Sequence, residues 1–388
     1  MKGPVFLAAS HSLHHRSRSI VLVACVFVAA ALPVASRVLA ADLRSGLTAR
    51  ARATPLVAGA KGSRFDLVMS SLYFRDADIG TLSMADWKGF ASDGLAVAIP
   101  LNSRFRVRGL PLVATSTDYF ELRGLRAARG GLPVMIGEAA LGANAAAKLG
   151  VSVGENVHSD QPELYDISKP ASLRMRIVGV LAENGSADDD AVFTDISTAW
   201  ILEGLGHGHS GASSVPDRLI LDRSGAGVVV SEELVDFSEI TAENRAAYHR
   251  HAAADSLPLT AVILVPGSEK GGAILKARAN AGSESQVVVP EMAVGEMLGY
   301  VARMQQVLDA LAGVIVAFTV VLIGLVTALS VRVRQRELET LSRIGASRGT
   351  VALIFGYEIV LVLVIGVGLA GLAGLILRKY TPDLTGML

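Results

Sequence analysis

The chain has 388 residues, enough for more than one domain. Its 36 lysines plus arginines are matched by 36 aspartates plus glutamates, which removes any global charge that would draw nucleic acid. A hydrophobic fraction of 51% is high for a soluble protein, and a single cysteine, Cys25, excludes an intrachain disulfide framework.

Taken in chain order, the first apolar stretch is Ile20 to Ser36, preceded by basic Arg16 and Arg18. A secretory signal peptide with its cleavage site at Val38-Leu39-Ala40 has the same outline. The apolar character continues past Pro33, and Leu39, Leu43 and Leu47 keep a spacing of four, as in a helix emerging from a membrane. An uncleaved anchor is the expectation, and a mature N-terminus near Ala41 would overturn it.

From about Asp42 to Gln305 the composition is that of a mixed α/β domain. Expected strands include Phe105–Val107, Leu110–Ala114, Leu173–Leu181, Arg218–Leu221, Thr260–Val265 and Gln286–Val289. In the third of these, Leu173, Met175 and Ile177 alternate with Arg174 and Arg176, a half-exposed strand. Alanine-rich Glu138–Leu149, stopped by Gly150, reads as a helix, and so does Lys270–Asn280. Pro290 suits the first turn of a long helix whose stripe of Val294, Met297, Leu298, Val301, Met304 and Leu308 runs into the next apolar run. That stripe and the leucine series after the first span suggest two helices leaving the membrane as a paired stalk.

Two further runs, Ala310–Val331 and Ile359–Leu377, are uncharged and long enough to cross a hydrocarbon core. Gly366, Ala370 and Gly374 recur every four residues and form a face that allows close helix approach. Basic residues favour the cytoplasmic side. Arg332, Arg334, Arg336, Arg343 and Arg348 between the last two spans, with Lys2, Arg16 and Arg18 before the first, place both segments inside and the middle domain outside.

The segment Arg332–Glu358 carries Leu338, Leu341 and Ile344 on one face, ringed by charge and interrupted at Gly345: a small amphipathic helix at the membrane surface. The composition alone leaves a partner-docking helix and a simple interfacial turn equally open. Here the sequence resembles the FtsX/MacB type of ABC-transporter permease. The matching residues are Arg334, Arg336, Glu337, Leu338, Leu341, Ile344, Gly345, Ala346, Ser347 and Glu358. Asp118-Tyr119-Phe120 with Gly124, then IGEAALGANAAAKLGVSVGENV from Ile136, then RIVGVL from Arg176, occur in the order of a MacB-like periplasmic core domain.

The resemblance implies a non-catalytic permease subunit, working as a homodimer with a cytoplasmic ABC ATPase, for export or extraction of a substrate that the sequence does not name. Its ATPase-coupling loop would comprise Arg334, Arg336, Glu337, Leu338, Leu341, Ile344, Gly345 and Ala346. An FtsX-like signalling subunit controlling an extracytoplasmic enzyme is the alternative, and a periplasmic partner would fit either. No cofactor is expected on this chain, since it has no Gly-x-x-x-x-Gly-Lys-Ser/Thr loop, so ATP would be used by the partner. The expected location is a bacterial inner membrane.

The expected fold is a membrane α-helical protein with three transmembrane helices and a large extracytoplasmic α+β domain inserted between helices 1 and 2. The expected segments are a cytoplasmic tail (1–18), helix 1 (19–41), a periplasmic core with stalk helices (42–305), helix 2 (306–331), the coupling loop (332–349), helix 3 (350–377) and an outer tail (378–388). Relatives usually carry a fourth span, so the expectation is either a three-span variant with its C-terminus outside or a truncated chain. His207 and His209 in GLGHGHS, and His249 and His251, are pairs where a tetrahedral metal site needs three or four ligands. Asp188-Asp189-Asp190 upstream offers carboxylates, but nothing in the spacing converges them, so solvated histidines are the preferred reading. Glu358 reads as the partner of an arginine in the loop.

Overall fold

The computed structural model describes residues 16–160, 172–208, 220–224, 227–230, 239–241, 243–250, 252–343 and 347–385. It divides into a sheet unit, Thr48–Gly295, and a helical unit formed by Met1–Leu47 and Glu296–Leu388. In chain order, helix α1 (Arg16–Arg52) is followed by β1 (Leu56–Ala60), α2 (Arg64–Tyr73), β2 (Leu82–Ser83), α3 (Met84–Ser92), β3 (Ala96–Val107) and β4 (Leu110–Thr115). Then come α4 (Thr117–Arg123), β5 (Ala127–Gly130), β6 (Glu138–Leu141), α5 (Ala143–Leu149), β7 (Asn156–His158) and β8 (Arg174–Leu181). A 3-10 turn at Ala187–Asp190 leads into β9 (Val192–Asp195), α6 (Ile196–Leu202), β10 (Gly206–Gly208), β11 (Ile220–Ser224), β12 (Gly227–Val230) and β13 (Tyr248–Arg250). The unit closes with β14 (Pro258–Leu259), β15 (Ala261–Pro266), α7 (Glu269–Ala281) and β16 (Ser285–Val288).

Among the described residues the main sheet runs β16-β1-β15-β3-β4-β9-β6-β8-β5, and β7 shares an edge of β8 with β5. β9 sits centrally, parallel to β4 and antiparallel to β6, with Val192 opposite both Leu112 and Leu141. Both of its neighbours are strands and its Val192 and Phe193 are fully buried, so the turn delivering the chain into β9 enters the core. One apolar cluster gathers around Leu141, Met175, Ile177 and Val192, another around Leu56, Val262, Leu264 and Leu275. The helices start where serine side chains satisfy free backbone N–H groups: Ser63 caps α2, and Ser83 with Asp86 forms a capping box on α3.

The alternation of Leu173, Met175 and Ile177 is realised: these are buried in and beside β8 while Arg176 is exposed. The expected helix over Glu138–Leu149 is corrected. Its first four residues are β6, paired on both sides by β8 and β9, and only Ala143–Leu149 is helical. Helix propensity of alanine yields there to burial in a sheet interior, because Ala139, Ala140 and Leu141 are all fully buried. The switch occurs at Gly142, where a Cβ would strike the backbone carbonyls of Asp188 and Asp189.

The helical unit continues with α8 (Pro290–Val333), α9 (Gln335–Arg343) and α10 (Arg348–Thr385). Helices α1, α8 and α10 are long and apolar enough to cross a membrane. In such a setting backbone and hydroxyl groups need internal partners. Thr319 and Thr327 meet this by donating to the carbonyls of Ile315 and Ile323, one turn earlier.

Candidate coupling loop and its anchors

Helix α9 occupies the expected amphipathic segment. Arg334 lies in the turn before it, and its backbone N–H still donates to Ser330 O at 3.2 Å. Arg336, Glu339 and Arg343 are exposed on α9. Glu337, Leu338 and Leu341 belong to the same helix, and Ile344, Gly345 and Ala346 lie outside the described residues. Ser347 then starts α10: its hydroxyl accepts from Thr350 N–H at 3.2 Å, an N-cap geometry.

The two helices flanking this loop are both tied to α1 by one arginine. Arg18 donates to Glu358 Oε1 at 2.9 Å and to Ser330 Oγ at 2.5 Å. Glu358 is only 3% exposed. A carboxylate in an apolar helix bundle is costly without a cation, and Arg18 supplies one. The sequence expectation looked to the loop for a cation, and the structure brings one from α1. Leu22, Ile323 and Val362 line one small cavity with this pair, and Val26 joins them in an apolar cluster.

The small-residue face of α10 is used against α1. A Cβ on Gly366 would sit 2.6 Å from Val26 Cγ1, and one on Gly374 would sit 2.5 Å from Val34 Cγ1. Ala370 between them is buried. The partners Val26 and Gly366, Val34 and Gly374, keep the 340-position offset of Arg18 and Glu358, so α1 and α10 run parallel in constant register. Helix α8 runs the other way, because Arg18 meets Ser330 whereas Arg37 meets Asp309 at 3.2 Å.

A second buried charge cluster, missed by the sequence reading, lies in the sheet unit. Arg50, two residues from the end of α1, places Nη1 and Nη2 2.7 and 2.8 Å from the two carboxylate oxygens of Asp188. Its Nη2 also donates to Tyr119 Oη at 2.8 Å, and its Nε donates to the carbonyl of Leu72. Tyr119 in turn donates to Asp188 Oδ1 at 2.7 Å. The Arg50 guanidinium lies 5.4 Å from the centroid of Phe74, whose ring meets Phe193, and Phe193 meets Tyr119 and Phe120. The Arg123 guanidinium lies over the Tyr119 ring, 5.6 Å from its centroid.

Burial alone would raise the Asp188 carboxyl, but the hydrogen bonds and charge of Arg50, then the Tyr119 hydroxyl and the Arg123 charge, hold it below the ordinary carboxylate range. Burial drives Tyr119 upward against the opposing charge of Arg50, and drives Tyr73 up to about 12. Phe74 closes α2 at φ 55, a left-handed conformation that costs a bulky residue roughly 1–2 kcal/mol. The aromatic cluster and the Arg106 bond to its carbonyl at 3.1 Å hold it there. A signal for Arg50 existed: it follows Leu47 by three residues on the face of the leucine series, so its charge points toward the buried side.

The other acidic residues of the triplet are also occupied structurally. Asp189 accepts from the backbone N–H groups of Asn184, Gly185 and Ser186, and Asp190 pairs with Lys148 at 2.9 Å. His207 lies on β10 with His249 of β13 as its register partner, while His209 and His251 fall outside the described residues. Among the described residues no group of three or more potential metal ligands converges.

Residues 310–387 match the family model described as FtsX-like permease C-terminal. No curated protein matches the chain. Among solved structures, the periplasmic region of MacB from Actinobacillus actinomycetemcomitans is 10% identical with a TM-score of 0.36, over 63% of this chain and 94% of that one. A domain assigned to a permease protein from Porphyromonas gingivalis is 10% identical with a TM-score of 0.26, over 60% of this chain and 86% of that one.

Proposed function

We propose, from the premise that the helices of residues 310–387 are of the FtsX-like permease type, that this chain is the non-catalytic membrane subunit of an ATP-driven complex. In this reading ATP is bound and hydrolysed by a separate cytoplasmic ABC ATPase that docks on α9 and the residues around it, Arg334 to Ala346. The sheet unit lies on the outer face of a bacterial inner membrane, between helices 1 and 2, and moves when the ATPase closes. The work is export or extraction of a substrate at that face. The observation that carries the reading is the family match over 310–387, which brackets an amphipathic helix held between two apolar ones.

A second copy of the chain is the expected membrane partner. Tyr300, Met304, Val307, Leu311, Val314, Phe318, Val321 and Leu325 alternate steps of four and three along α8, and all are exposed. That 3.5-residue period is the seam of a left-handed helix pair. Lipid alone asks only for apolar surface, and Tyr300, Met304 and Val307 precede the uncharged run.

The test is purification of the tagged chain in mild detergent from its native host. Co-purification of a Walker-motif ATPase that is lost on Leu341→Asp and on Gly345→Trp, with membrane insertion intact, is the expected result. Recovery of no ATPase at all with the wild-type chain would sink the proposal.

A further inference from the structure

We infer that Arg123 forms an oxyanion-binding site in the sheet unit, where the Nε and Nη2 edge of its guanidinium takes a carboxylate or phosphate group through two parallel hydrogen bonds. The site goes beyond the permease reading and does not depend on it.

The neighbouring buried groups are already occupied by one another. All five N–H groups of Arg50 have acceptors: the Leu72 carbonyl, Ser186 Oγ at 3.2 Å, Tyr119 Oη at 2.8 Å and the two Asp188 oxygens. Asp188 is equally engaged. Its Oδ1 accepts from Arg50 and Tyr119, and its Oδ2 accepts from Arg50 and from Ser186 at 3.1 Å. Neither carboxylate oxygen is left for a second guanidinium.

Arg123 nonetheless brings one. It lies over the Tyr119 ring, and burial together with the charge of Arg50 works against its charged form. Its Nε and Nη2 are shut off from solvent, yet neither has a hydrogen-bond partner among the described residues. Asp188 is the carboxylate beside it, and Asp188 is paired with Arg50. The tyrosines supply no negative charge either: burial holds Tyr119 above its ordinary value and pushes Tyr73 up to about 12, so both stay neutral at physiological pH. Two guanidinium charges therefore share one carboxylate. A buried cation with unmade hydrogen bonds is costly, and an anion bound from outside removes that cost.

The identity of the two open atoms sets the class of anion. Nε–H and one Nη2–H project in the same direction from one edge of a planar group, which matches two oxygens of a carboxylate or phosphate. A halide offers no such pair of oxygens. Room exists beside the site: Arg123 is half-buried at the last position of α4, and a Cβ added to the following Gly124 would meet nothing within 4 Å.

The test is a melting titration of the full chain in a phosphate-free maltoside detergent, with sodium phosphate and sodium acetate set against sodium chloride at matched ionic strength. Wild type should melt about 2–4 °C higher at roughly five times the dissociation constant of the added oxyanion, and the rise should saturate. Chloride should leave it unmoved. Equilibrium dialysis with labelled phosphate should show a single site per chain. Arg123→Met should abolish both signals, whereas Arg126→Gln, on an exposed neighbour, should bind as wild type does. Arg123→Lys keeps the charge but loses the fork, and should weaken phosphate binding about tenfold. Dihexanoyl phosphatidic acid separates the two sources of a phosphate group: tighter binding than inorganic phosphate assigns the site to a lipid headgroup, and equal or weaker binding assigns it to a free anion. Absence of saturable stabilisation by phosphate and by acetate overturns the inference, and so does phosphate binding that survives Arg123→Met. If Arg123→Met does not fold, wild-type affinity in Arg123→Lys overturns it.

Discussion

At the scale of single residues, Arg50 and Asp188 are the most consequential pair in the sheet unit. Removing one partner from a buried ion pair leaves an uncompensated charge, so Arg50→Met should cost the sheet unit about 3–5 kcal/mol, read as a lowered denaturation midpoint. Replacing both, Arg50→Met with Asp188→Leu, should recover part of the loss. The pair also sets an acid limb. The folded Asp188 value lies below the unfolded one, so its contribution is present above the unfolded carboxylate value of about 3.9 and is lost as pH falls through the depressed folded value. Thermal melts of wild type should therefore fall steeply below about pH 4, and Asp188→Asn should flatten that limb. An unchanged slope in the variant would remove Asp188 from the account. Spacing hinted at the buried side of α1 for Arg50 but could not name its partner, since Arg50 and Asp188 are 138 positions apart. The Asp118-Tyr119-Phe120 motif marked one member of the cluster without naming its partners.

Elements were legible where one physical rule dominated. Apolar length placed the three long helices, and period two placed β8, because each signal is set by a solvent contrast that the fold preserves. The error at Glu138–Leu149 came where two rules met: four consecutive residues with good helix propensity are also small enough to thread a sheet interior, and only the neighbours β8 and β9 decide. The Gly366-Ala370-Gly374 face was visible as a pattern, but its partner was not, since any of the apolar helices offers similar surface. Its identification with Val26 and Val34 yields a direct test. Gly374→Leu introduces four carbons where the first already strikes Val34, and should shorten the half-life of the purified chain in detergent several-fold. Gly368→Leu, at a position with nothing within 4 Å of an added Cβ, should not. Equal behaviour of the two variants would show that the close approach is not what holds these helices.

For the whole molecule, the loop residues read from sequence and the anchors read from structure answer different questions. Arg336, Glu339 and Arg343 are exposed surface chemistry, which a sequence carries in its own letters. Arg18, Glu358 and Ser330 are a tertiary arrangement, which it does not. The proposed dimer seam on α8 is checked by cysteine pairing in a Cys25→Ser background. Met304→Cys should form a disulfide-linked dimer in membranes under mild oxidation, whereas Ala302→Cys, two positions round the helix, should stay monomeric. Dimer formation at both positions, or at neither, would remove the seam.

The parallel register of α1 and α10 has one last consequence, for the kind of motion open to this bundle. Val26 and Val34 are two teeth set eight residues apart, and Gly366 and Gly374 are two notches with the same pitch. Sliding α10 by four residues, about 6 Å, would bring the Ala370 methyl against a valine tooth where a bare glycine stood. Axial gliding therefore meets a barrier at the first step, while tilting about the toothed line keeps both teeth seated.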